Sequence, residues 1–395
     1  MIELSEDQEV ALLNIRRALS TGKRASVLVG AAGTGKTTLM QYVIGEQERR
    51  REVVLICPTG KAASVLGEKT GRAVQTVHQA LYSRVTEHEG DEELDEHGDP
   101  VKKEVRLMFH DPHPPCGTTG LVICDEASMV SSRLHRDLLG QIVNVPGAQL
   151  LYVGDREQLP PVNDTWGPNF DSPDAALTVV HRQAEKSPIL RLATAIRTGR
   201  GFADWGDGCD IGPGDPIRWL TERVRAGVDV TLLAYTNATR RRLNSEARDA
   251  LGLNGRLCVR DRIVCCLNNR DVGMMNGETG TITHIGPSTM RGWAYARIDD
   301  GESVLVNRYM LGASSKEFKE ATAGLSKKAR PMALHIDIGW CLTVHKAQGS
   351  EWKSVGFVSD DGYRRLKLAK VSEARRLAYT AVTRASEELY VFDET

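Results

Sequence analysis

The chain is 395 residues long, 26% charged and 41% hydrophobic, with a formal net charge of −1. That length allows two or more domains with substantial cores, and the balance is that of an ordinary soluble protein. No apolar run reaches the length of a membrane span, the N-terminal MIELSEDQEVALL lacks the order of a signal peptide, and the near-neutral charge confines any nucleic-acid site to a local patch.

Ser5-Glu6-Asp7-Gln8 opens an amphipathic helix whose apolar residues are Val10, Leu12, Leu13 and Ile15. The S-x-x-Q spacing is a capping box, in which Gln8 reaches back to the Ser5 backbone. That role stands level with the alternative that Gln8 reads a base. Val27, Leu28 and Val29 then form a short strand, and Gly30 to Thr37 fits G-x-x-x-x-G-K-[ST] without a mismatch. Glycines let the backbone turn its N–H groups onto phosphate oxygens, and the helix that starts near Lys36 adds a positive dipole end. Lys36 can reach the β- and γ-phosphates, and the Thr37 hydroxyl can ligate Mg²⁺. The spacing therefore predicts a nucleoside triphosphate site formed by Gly30, Ala31, Ala32, Gly33, Thr34, Gly35, Lys36, Thr37 and Thr38.

Three more apolar strands follow: Val53–Cys57, Leu121–Cys124 and Leu150–Val153. They hand over to Pro58-Thr59-Gly60-Lys61, Asp125-Glu126 and Gly154-Asp155. Leu134, Leu138, Leu139 and Ile142 mark a helix face between the last two. Continuous apolar strands alternating with helices predict an α/β fold with a parallel sheet covered on both faces. Ligands then sit beyond the carboxyl ends of the strands. Asp125 suits a magnesium site, and Glu126 suits the orientation and deprotonation of an attacking water, so hydrolysis is expected rather than transfer to an acceptor.

Residues 79–120 interrupt this pattern. Glu87 to Asp99 carries eight acidic residues and reads as a solvated loop, with Val105, Leu107 and Phe109 alternating behind it as one arm of a hairpin. A second α/β pattern begins near Asp174, with strands expected at Thr231–Tyr235, Cys341–Val344, Val355–Val358 and Leu389–Phe392. It has no phosphate loop of its own. Short β segments with Gly-rich turns between about Arg256 and Leu334 predict a small inserted β-barrel. Lys316, Lys319, Lys327, Lys328 and Arg330 make a basic cluster there, which is either a solvated face or a contact surface. The eight cysteines form no CxxC pair and suit buried thiols of a reducing cytosol.

The ordered motifs resemble superfamily 1 helicases. They are the phosphate loop, Cys57–Ala63, Thr76-Val77-His78, Asp125–Met129 and Gly154–Pro161. The second half adds Val180-His181-Arg182-Gln183, Tyr235-Thr236-Asn237, Thr343–Trp352 and Ala378–Ala385. The set is similar to the RecD-like branch, which includes the phage helicase Dda, and covers nearly the whole chain. Asn276–Gly280 is similar to the start of that branch's SH3-like insertion.

The resemblance implies two RecA-like parallel-sheet domains in tandem, with a hairpin-like insertion in the first and an SH3-like β-barrel in the second. The expected first domain is 1–78 and 121–173, with 79–120 as the candidate strand-separating pin. The expected second domain is 174–255 and 335–395, interrupted by the barrel at 256–334. It also implies roles. Gln8 contacts adenine, Gln158 senses the γ-phosphate, and Arg182 and Arg384 contact it from the second domain. Glu351 binds the ribose, and Thr59, Thr76, His78, Thr343 and His345 line a single-stranded DNA track. Lys36, Glu126, Gln158, Arg182 and Arg384 are thus the expected catalytic set, with ATP and Mg²⁺ as cofactors.

The implied activity is ATP-driven 5′-to-3′ movement on single-stranded DNA and unwinding at junctions. It comes with the cytoplasm of a prokaryote or phage-infected host, a monomeric state, no membrane, and replication or recombination proteins as partners. Two alternatives stay open at the level of sequence: an RNA-directed helicase, and a nucleotide-dependent module that grips nucleic acid without unwinding it.

Overall fold

The computed structural model describes residues 4–82, 113–161, 164–180, 187–200, 209–253, 255–269 and 271–393. Residues 83–112 of the expected hairpin, with Phe109 and the acidic run at 87–99, lie outside these residues, as does Arg182.

The N-terminal helix α1 (Glu6–Ser20) starts at the Ser5 capping box and buries Gln8, Ala11, Leu12, Ile15, Ala18 and Leu19. Val10 and Leu13, expected on that face, are about half exposed. The 3.6-residue period selects Ala11 beside the expected Leu12, one turn before Ile15.

The first sheet collects β1 (Ala25–Gly30), β2 (Val53–Cys57), β3 (Val74–Thr76), β4 (Leu121–Cys124), β5 (Gln149–Gly154) and β6 (Ala175–Leu177) in the order β3-β2-β4-β5-β1-β6. Every pairing is parallel. Leu28, Leu55, Ile123 and Leu151 face a core shared with α1 and with α2 (Lys36–Gln47). Val27, Val29, Val122 and Tyr152 face the opposite core, which is closed by Leu134, Leu138 and Ile142 of a later helix, Ser132–Asn144. Burial on both sides is why these strands read as unbroken apolar runs.

The expected domain change at residue 174 needs correcting. Ala175–Leu177 pairs with Leu28–Gly30, so the first sheet keeps this segment as its edge strand. Three residues are too few to show a strand pattern in sequence.

A five-stranded parallel sheet forms the second half, in the order β15-β8-β16-β17-β7. Its strands are β7 (Cys209–Gly212), β8 (Val230–Ala234), β15 (Cys341–Thr343), β16 (Trp352–Val358) and β17 (Ala385–Phe392). Between β8 and β15 lies a largely antiparallel six-stranded sheet of β9 (Arg262–Cys265), β10 (Thr279–Pro287), β11 (Trp293–Ile298), β12 (Ser303–Asn307), β13 (Ala333–Leu334) and β14 (Ile336–Ile338). The last strand pairs with Arg262–Cys265, so this sheet runs past the expected limit at 334. Its interior residues Ile263, Ile282 and Ala296 join one core with Leu232 and Leu243. Lys316 and Lys319 lie on a helix, Ser315–Ala323, that caps the inserted sheet, and Lys327, Lys328 and Arg330 follow it.

Candidate active site

Strands β4, β5 and β1 are consecutive neighbours, so their carboxyl ends put Asp125-Glu126, the Asp155 turn and the phosphate loop along one edge. The loop leaves β1 through Gly33 and Gly35 at φ of 78° and 80°, which a side chain would strain. A Cβ on Gly30 would lie 2.6 Å from Thr34 Oγ1, so the turn closes only on a bare backbone. Lys36 Nζ donates to the carbonyls of Gly30 (2.8 Å) and Ala31 (3.0 Å), which holds the ammonium over the concave face.

Gln8 makes the expected capping box and also reaches the phosphate loop. Its Oε1 accepts from Ser5 N (3.1 Å) in the capping box, while its Nε2 donates to Gly35 O (3.4 Å). The side chain is therefore buried beside the phosphate loop.

Burial, reinforced by Glu126, pushes the Asp125 carboxyl up to about 6 despite Lys36 and Lys69. A partly desolvated carboxylate of this kind favours a divalent cation over water. With Thr37 at the start of α2, the donor set of one carboxylate and one hydroxyl fits Mg²⁺, which keeps most of its waters. Glu126 sits at φ 51° and ψ 36°, a left-handed conformation that glutamate adopts only under constraint. The buried Gln158 Oε1 and Ser128 Oγ find no hydrogen-bond partner among the described residues, and unpaired buried acceptors of this sort suit a ligand or its water.

The second half reaches this edge directly. The helix α11 spans Val371–Val382; α6 to α10 are Pro188–Arg197, Pro216–Arg225, Asn237–Ala250, Ser315–Ala323 and Asp361–Ala369. From α11, Thr380 Oγ1 accepts from Leu159 N (3.1 Å), and Gln348 Nε2 donates to Leu159 O (3.2 Å). The Arg376 guanidinium stacks 4.5 Å from the Trp166 ring centroid. Arg384 follows α11 and is buried. It donates to the carbonyls of Thr380 (3.0 Å) and Ser350 (3.1 Å), which are acceptors of its own half. Glu351 pairs with Lys69 of the first half at 3.9 Å, but both are more than half exposed, so the pair is weak.

A family model described as an AAA domain matches residues 3–205, about half of the chain, and one described as a UvrD-like helicase C-terminal domain matches 339–392. The chain is 31% identical to the ATP-dependent RecD2 DNA helicase of Deinococcus radiodurans over 98% of its own length and 48% of that protein. The chain belongs to the superfamily 1 helicases of the RecD-like type.

The ATP-dependent DNA helicase dda of Enterobacteria phage T4 is 28% identical over 50% of the chain and 43% of that protein. The chain thus spans about half the length of these relatives or less. Among solved structures, Bacteroides Pif1 bound to ssDNA aligns over all of the chain and 93% of its own, with a TM-score of 0.56 at 17% identity. Pif1 helicase from Candida albicans aligns with a TM-score of 0.56 at 19% identity, over all of the chain and 95% of its own. These two share the fold.

The five residues expected along DNA divide between the halves. Thr59 caps a helix, Gly60–Thr70, by accepting from Ala62 N, and Thr343 Oγ1 accepts from Lys346 N, both at 3.2 Å. Each hydroxyl still has a proton to donate. Thr76 is buried at 3% exposure and caps Val77–Leu81, so it holds the exposed His78 in place rather than facing solvent itself. His345 is half-buried, and burial lowers its pKa, so it is neutral near pH 7. Tyr82 donates to Asp137 (2.6 Å) and is thereby tied to the first half.

Among the described residues no group of three or more His, Cys, Asp or Glu could hold a metal, and no helix is long and apolar enough to cross a membrane. Sequence reasoning gave no role to Tyr379, Thr380 or Gln348. All three lie inside quoted motifs, but contacts across more than 180 positions leave no local trace.

Proposed function

We propose that the chain hydrolyses ATP in the cleft between its two parallel sheets and uses the cycle to move 5′ to 3′ along single-stranded DNA and separate duplex. The observation that carries this is the Asp155–Leu159 turn. It leaves the strand next to the phosphate loop, carries Gln158, and is hydrogen-bonded to both Gln348 and Thr380 of the other half. A change at the γ-phosphate is therefore a change at the interface.

Lys36 and the loop N–H groups bind and orient the triphosphate. Glu126 aligns the attacking water and takes its proton. Mg²⁺, when bound by Thr37 and Asp125, would neutralise charge on the phosphates. Arg384 reaches the equatorial oxygens by exchanging backbone carbonyls for phosphate, whose anionic oxygens its planar guanidinium can bind bidentately. Closure of the halves on ATP and release after hydrolysis would alternate the grip of Thr59 and His78 with that of Thr343 and His345, giving one directional step per cycle.

Strand displacement on 5′-tailed and 3′-tailed duplexes tests the proposal. Unwinding of the 5′-tailed substrate alone, lost in Lys36→Ala, is expected. ATPase activity without displacement would leave a nucleotide-driven grip on nucleic acid, and stronger stimulation by poly(U) than poly(dT) would make RNA the track.

A further inference from the structure

One side chain touches both of the nucleotide-site turns from the opposite half. Tyr379, on α11, is 1% exposed. Its hydroxyl accepts from Ala32 N in the phosphate loop (2.9 Å) and donates to Asp155 Oδ2 (2.6 Å). Asp155 Oδ1 in turn accepts from Glu157 N (3.0 Å), which tightens the turn that carries Gln158. Five residues beyond Tyr379, just past the end of the same helix, stands Arg384, whose Nε is bonded to Thr380 O.

We propose that Tyr379 is a positioning residue for ATP hydrolysis: its hydroxyl pins α11, and Arg384 with it, against the phosphate loop and the Asp155 turn. This rests on Arg384 serving as the arginine finger. A phenolic hydroxyl has one proton, so it donates to Asp155 and accepts from Ala32 in one arrangement of the halves only. Burial, and then the Asp155 charge, raise its pKa well above the usual value, so it stays a donor throughout the working range. The helix between Tyr379 and Thr380 is rigid, and displacement of about 1 Å at a reacting group is enough to lower a rate about 10²-fold. Loss of the hydroxyl leaves the Ala32 N–H free for a phosphate oxygen while α11 loses its anchor, so turnover should fall before affinity does.

Tyr379→Phe tests this, since it keeps the ring and removes both bonds. With saturating single-stranded DNA, kcat should fall roughly 10- to 100-fold while KM for ATP stays within about twofold. In an Arg384→Ala background the same change should alter kcat by less than about twofold, because nothing is left to aim. Asp155→Asn, which keeps an oxygen for the hydroxyl, should show a milder form of the same split, and serves if the phenylalanine variant folds poorly. A wild-type kcat in Tyr379→Phe, or effects that multiply in the double variant, would overturn the proposal. A wild-type kcat in Arg384→Ala would remove the arginine-finger role and this proposal with it.

Discussion

The Gln8 side-chain amide donates to the carbonyl of Gly35, the residue at which the phosphate loop turns into its helix. One side chain thus joins the N-terminal capping box to the nucleotide site. Gln8→Ala should raise KM for ATP about 10-fold, equivalent to about 1.4 kcal/mol, while KM for GTP and CTP moves little. Steady-state hydrolysis of the three nucleotides checks it. An equal rise for all three would mean that Gln8 acts only through Gly35 and reads no base.

The left-handed backbone at Glu126 separates catalysis from stability. Glu126→Gln should retain ATP binding and lower hydrolysis by about 10²–10⁴-fold. Glu126→Asn should lose hydrolysis equally but melt higher than Glu126→Gln, because asparagine tolerates this conformation better. Fluorescent-nucleotide binding and thermal melting distinguish the two effects. Identical melting temperatures would remove the claim of strain.

Asp125 gives a pH signature in metal-free buffer. Its carboxyl titrates near 3.9 in an unfolded chain and is pushed up to about 6 in the folded one. The proton is held more tightly by the folded state, so its stabilising contribution is full below about pH 4 and is lost as pH rises through about 6. Asp125→Asn should therefore melt at least roughly 3 °C higher than the unsubstituted protein at pH 7.5. At pH 4 the two should coincide. A pH-independent difference would mean that the shift is absent.

Gly349 meets two constraints, a φ of +74° and a virtual Cβ position 3.1 Å from Ala62 Cβ across the cleft. Gly349→Ala should destabilise by about 1 kcal/mol and lower DNA-stimulated ATPase by roughly 10-fold. Ala62→Gly should restore part of the ATPase in the double variant, because it clears the space, without relieving the backbone. No recovery would assign the whole effect to the backbone angle.

What the residues announced and what they hid follow one physical line. Val27–Val29 and Leu121–Cys124 were legible because two-sided burial demands unbroken apolar runs, and the phosphate loop because its chemistry fixes its spacing. Ala175–Leu177 was not, since a three-residue edge strand is selected by its pairing with β1 and not by its own pattern. Likewise Arg384 was visible as a residue type, but its present lodging on the carbonyls of Thr380 and Ser350 depends on two segments meeting in space. The positive φ of Glu126 has no signature in sequence either, because the side chain disfavours it and only the surrounding fold imposes it.

In the second parallel sheet, β17 lies between β16 and β7 and bonds to both. β17 comes last of the five strands in chain order yet lies inside the sheet, so that sheet cannot close until Phe392 has been made. The first sheet needs nothing beyond Leu177. At about 5–20 residues per second, roughly 10–40 s separate the two moments. During that interval the nascent protein carries a finished nucleotide cradle with no partner across the cleft. ATP bound at that stage would act as a folding ligand, steadying the first half before the second has formed.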